Sequence, residues 1–117
     1  MSNRHTVQRI ALMHHLLKEK PEAERNNLIA LKYAYPNAFK YIVIIPFVLS
    51  KSTDMSELRR AFDRRVGCFL KFYNLLSDED KLDCYDDLAE FLFEEYGTRD
   101  ANLGKSTILK LLNQLTE

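Results

Sequence analysis

The sequence predicts an all-α fold, a compact bundle of five to six helices around a buried apolar central segment. Three observations carry the prediction. Apolar residues recur at three- and four-residue steps through most of the 117 residues, the spacing that lines one side of an α-helix. Residues that favour helix starts, Thr6, Pro21, Pro36, Asp54 and Ser77, stand at the head of these periodic stretches. The run from Ala38 to Leu49, AFKYIVIIPFVL, holds a single charge, Lys40, and no amphipathic period, as expected of a segment that its neighbours bury on all sides.

The first helix is expected from Thr6, as N-cap, to about Lys20. Val7, Ile10, Ala11, His14 and Leu17 would face the core, with Leu12, Met13 and Leu16 widening the apolar surface. Pro21 suits the first position of a second helix, whose opening turn carries Glu22 and Glu24 where negative charge complements the helix dipole. That helix should reach Ala34, because Pro36 disfavours helical geometry at Tyr35. Leu28, Leu31 and Tyr35 form its apolar side.

The β-branched content of the central run also suits a short core strand, and periodicity does not separate the two readings. A lone strand, however, leaves its backbone groups unpaired unless a second copy of the chain pairs with it. A helix beginning near Pro36, kinked or ended by Pro46, is therefore the expectation. With roughly 20 apolar residues needed to cross a bilayer, this run is too short to be a span.

Asp54 and Glu57 form a capping box with Asp in place of Ser or Thr. The helix that follows has the plainest pattern in the chain: Met55, Leu58, Phe62, Val66, Phe69, Tyr73 and Leu76 keep a three-four rhythm for about six turns. Its other side is basic, with Arg60, Arg64 and Lys71 in register and Arg59 and Arg65 flanking. Ser77 caps a fifth helix with Asp78, Glu79 and Asp80 in its first turn and a buried side of Leu82, Tyr85, Leu88 or Ala89, Leu92 and Tyr96. Gly97 stops it as a C′ glycine does. Residues 98–104 read as a loop, and Ser106 or Thr107 opens a last short helix carrying Ile108, Leu109, Leu111, Leu112 and Leu115.

No Gly/Ser or Pro-rich linker divides the chain, so residues 1–117 are expected to form one domain. Net charge is zero, yet residues 1–76 hold 13 Lys+Arg against 6 Asp+Glu and residues 77–117 hold 4 against 11. The two parts are electrically opposite. The first residues bring charge at once with no long apolar run behind them, and Cys68 and Cys84 lack CxxC spacing, so reduced thiols and a cytoplasmic location are expected.

Few chemistries fit. Gly104-Lys105-Ser106-Thr107 spells the end of a phosphate-binding loop, but position 99, where the motif needs glycine, is arginine. A carboxylate metal site in a bundle uses Glu-x-x-His pairs, and neither His14 nor His15 has a Glu three before it. Cys68 has no glycine-rich oxyanion loop or nucleophile elbow around it. No catalytic residue, metal or cofactor is expected.

What remains is binding. The leading expectation is a non-catalytic regulator, adaptor or inhibitor that captures another protein through the acidic fifth helix, using Asp83, Asp86, Asp87, Glu90 and Glu94 with Phe91 as an aromatic anchor. The alternative is binding of RNA or DNA through Arg59, Arg60, Arg64, Arg65 and Lys71. A third account makes the charges structural, pairing Arg64 or Lys71 with Asp83, Asp87 or Glu90 across a hairpin of the two helices. A homodimer is plausible from the central run and the leucine-rich tail.

Overall fold

Prolines 36 and 46 bracket the segment on which the molecule is built. In the computed structural model, which describes residues 2–97 and 105–116 with side chains over 4–97 and 105–115, this segment is a single continuous helix. We call it α3. It comprises α-helical Pro36–Phe39, a π-turn over Lys40–Ile44 and α-helical Ile45–Val48. Around it stand α1 (Ser2–Lys18), α2 (Glu22–Ala34), α4 (Met55–Leu75), α5 (Asp78–Tyr96) and α6 (Lys105–Thr116). The described residues contain no strand, so the helical reading of the central run holds.

Pro46 neither ends α3 nor breaks it. Having no N–H, it cannot serve a carbonyl in the turn before it, and the helix passes it by widening there. The N–H of Ile45 donates to the carbonyl of Lys40, five residues back. The carbonyl of Ile42, four residues before the proline, accepts from Arg65 Nε on α4 at 2.7 Å. Ala38, Phe39, Ile42, Val43 and Phe47 are buried, whereas Lys40 and Leu49 are exposed, so the segment buries one broad side rather than its whole circumference.

α3 packs against α1, α2, α4 and α5. It packs on both α4 and α5, and among the described residues those two helices do not pair their charges as a hairpin would. They meet near their shared turn, where the phenol of Tyr85 donates to the carbonyl of Phe69 at 2.9 Å. Tyr85 is fully buried there, edge-on to Tyr35 at 4.7 Å between ring centres and to Tyr73 at 5.7 Å. Burial pushes its phenol far above the ordinary tyrosine range. Ile108, Leu111 and Leu112 seat α6 against α5.

The helix ends follow the sequence closely but not uniformly. Asp54 accepts from the N–H of Ser56 at 2.9 Å, while Glu57 accepts from the Ser52 hydroxyl instead of reaching back to Asp54, so the box is relayed through Ser52. Ser77 accepts from the N–H of Asp80, and its hydroxyl donates to that carboxylate at 2.7 Å. Gly97 ends the helix with φ +69°, a positive value that glycine adopts without steric cost, though its ψ of −160° is not that of the left-handed C′ motif, and its N–H donates to the carbonyl of Phe93. Pro21 holds the cap position one residue ahead of the expected first turn. α6 begins at Lys105, one residue early. Residues 98–104, expected to be a loop, lie outside the described residues.

α1 differs most from expectation. It starts at Ser2, so Thr6 lies inside it, and its buried side is Arg9, Met13, Leu16 and Leu17. Val7, Ala11 and His14 face outward, Val7 at 65% exposure. The physical reason is Arg9, whose Nη2 donates to the carbonyls of Ser50 and Ser52 just beyond the end of α3. Turning Arg9 inward supplies donors to two carbonyls of the connector that leaves α3.

Candidate functional site

The outer side of α5 gathers most of the acidic residues that the sequence singles out. Asp83, Asp87 and Glu94 are exposed and Glu90 half-buried, at the four- and three-residue spacing that aligns them along one helix side. None of the four enters an ion pair among the described residues; the only pair on α5 joins Lys81 to Asp78. Arg64 and Lys71 of α4 make no bridge to Asp83, Asp87 or Glu90. The expected internal neutralisation is absent among the described residues.

Two members of the predicted set have other work. Asp86 accepts the N–H of Ala38 at 3.0 Å and so caps the first turn of α3 from outside it. Phe91 is half-buried and packs against the core. Neighbouring Phe93 lies on Tyr41, with ring centres 4.8 Å apart. The projecting apolar side chain is Leu82, which the sequence pattern placed inside and which is 82% exposed. Its neighbours one turn away are Asp78 and Glu79 on one side and Asp86 on the other, so it stands as an apolar knob with carboxylates around it. The signal was legible as a leucine at the shoulder between the buried and acidic arcs, which a helical period alone assigns to either.

The basic residues of α4 are less uniform. Arg64 and Lys71 are exposed, and among the described residues neither enters an ion pair or side-chain hydrogen bond. Arg59 approaches Glu19 at 3.4 Å, and Arg60 donates from Nε to the carbonyl of Ser56. Arg65 is turned inward to Ile42, and burial lowers its guanidinium pKa from the usual value. Of the five, Arg65 is thus held inside the fold.

The side chains associated with catalysis are dispersed. His14 and His15 are exposed on α1, whereas Cys68 is buried in α4. Cys84 donates to the carbonyl of Asp80, and burial, reinforced by the Asp80, Asp83 and Asp87 carboxylates, pushes its thiol up, opposite to the shift that makes a thiolate. Among the described residues no three His, Cys, Asp or Glu side chains converge as metal ligands, and no helix is long and apolar enough to cross a membrane. In comparisons with known proteins the chain matches no family model, no curated protein and no solved structure.

Proposed function

We propose that this protein acts by binding another protein, as a non-catalytic regulator, adaptor or inhibitor, through the outer side of α5. The observation that supports the reading is the row Asp83, Asp87, Glu90 and Glu94, kept apart from the bases of α4 and joined to no cation among the described residues. Like charges aligned on one helix repel one another, and a basic partner relieves that repulsion on contact. Leu82, at the shoulder of this row, supplies an apolar contact beside the charges. The partner is therefore a protein with a basic surface around an apolar depression.

The alternative reading, nucleic-acid binding through α4, draws on exposed Arg60, Arg64 and Lys71. One experiment separates the two. The immobilised chain and its variant with Asp83, Asp87, Glu90 and Glu94 each replaced by Lys are incubated with native extract, with and without nuclease. Protein-mediated capture survives nuclease and is lost in the variant. Capture that the variant retains would remove α5 from the mechanism, and capture that nuclease abolishes would favour α4. Asp86 is left unchanged because its loss would disturb α3.

A further inference from the structure

A groove of about 790 Å³ opens where the N-terminal half of α1 passes the end of α3 and the start of α4. Leu12, Val48, Leu49, Met55 and Leu58 give it apolar walls. Leu49 is 61% and Met55 42% exposed, which leaves unpartnered apolar surface at the mouth. His5, Arg9 and Lys51 are its titratable residues, and no carboxylate lines it. The two acids nearest in the chain are engaged: Asp54 accepts from the N–H of Ser56 and Glu57 from Ser52.

Arg9 sets this groove apart from an ordinary surface depression. The residue is 9% exposed, yet among the described residues only Nη2 of its guanidinium has acceptors, and Nε is enclosed with no partner. The charge of this poorly solvated guanidinium adds to that of Lys51 and makes the groove favourable for carboxylates at its mouth.

We infer that this groove receives the acidic side of α5 from a second copy of the chain, with Leu82 seated between Leu49 and Met55 and the neighbouring carboxylates facing Lys51 and Arg9. The inference rests on the reading of α5 as a binding surface and names one of its partners. Charge complementarity carries it: the groove is basic with apolar walls, and Leu82 stands as an apolar knob beside Glu79, Asp83 and Asp86, with Asp78 already paired to Lys81. A copy does not satisfy its own groove. Asp86 marks the α5 side at the first turn of α3, the groove lies at the other end of α3, and 13 helical residues separate the two by roughly 20 Å. Knob and groove are different patches, so the contact either repeats head-to-tail or closes reciprocally into a pair.

Complementation tests this. One variant blunts the groove (Leu49→Ser with Lys51→Ser), and another blunts the knob (Leu82→Ser with Asp83→Ser). All four positions are exposed and outside the side-chain hydrogen bonds that cap the helices, and far-UV circular dichroism verifies that the fold is kept. In sedimentation equilibrium at low salt, the wild-type average mass rises with concentration above the 13.8 kDa of one chain. Each variant alone stays at the mass of one chain, because its association is weakened at least about tenfold. An equimolar mixture of the two forms a species of two chains and no larger, since it retains one intact knob and one intact groove. Added salt dissolves the contact. A wild-type chain that stays single at millimolar concentration overturns the inference, as does a variant that still assembles alone or a mixture that fails to pair. Those results leave the α5 reading to its own capture experiment, in which the groove variant keeps its acidic side.

Discussion

Arg65 shows how one side chain changes role when its surroundings are known. In the sequence it belongs to a basic stripe; in the fold its Nε completes the hydrogen bonding of a carbonyl beside Pro46. Arg65→Ala should cost about 1–3 kcal/mol, because it strands a partly enclosed acceptor. Arg64→Ala on the same helix should stay within about 0.5 kcal/mol, as exposed substitutions usually do. Urea titration of both variants checks the contrast, and equal losses would show that the Ile42 contact contributes nothing particular. Tyr85 makes a second prediction at this scale. Its folded pKa is raised, so the neutral phenol belongs to the native state while the unfolded chain ionises near the ordinary value of about 10. Its contribution is fully present below that pH and is lost above it, by up to about 1.4 kcal/mol per pH unit. Tyr85→Phe is expected to be less stable than wild type at pH 7, where the bond to Phe69 is missing, and to lose less stability between pH 10 and 11. Parallel losses in the two proteins over that interval would contradict the assignment.

At the scale of elements, α4 was the most legible because its pattern has one solution. Leu58, Phe62, Val66, Phe69 and Leu76 are buried as the three-four rhythm requires, although Met55 lies open at the helix start. α1 was ambiguous, since the stripe Val7, Ile10, Ala11, His14 and Leu17 competes with Leu12, Met13 and Leu16 beside it, and of that stripe Leu17 is the residue buried. The structure chooses the side that also carries Arg9, and no apolar period anticipates a buried cation that serves a distant connector. The acidic row on α5 was readable from composition and spacing, whereas Leu82 and the bond from Ala38 to Asp86 depend on where α5 meets α3. Gly67 gives the cleanest test of an element. It is exposed in the middle of α4, and a methyl group at its Cβ position meets nothing within 4 Å. Gly67→Ala should therefore stabilise the protein by about 0.5–1 kcal/mol through reduced backbone entropy in the unfolded chain. A raised urea midpoint with an unchanged slope confirms this; an unchanged or lowered midpoint would mean that α4 is not regular there.

Among the described residues, α1, α2, α4 and α5 all pack on α3, and α6 joins them through α5. α3 receives Asp86 from α5 at its first turn, Arg65 from α4 at its middle and, just past its last turn, Arg9 from α1, together with His5, which lies 3.0 Å from the carbonyl of Val48. The arrangement predicts a single cooperative unfolding step. Tyrosine near-ultraviolet signals, which report the cluster around Tyr85, and far-ultraviolet helix signals should vanish together in urea, and a helical state that outlives the tyrosine transition would refute it. A peptide of residues 36–48 should be a featureless coil in water, being both short and dependent on borrowed donors and acceptors. This has a practical meaning for anyone redesigning the chain: loops and outer turns are places to cut, graft or permute, but the innermost rod cannot be transplanted as a module, because part of its bonding is supplied by side chains of three neighbouring helices.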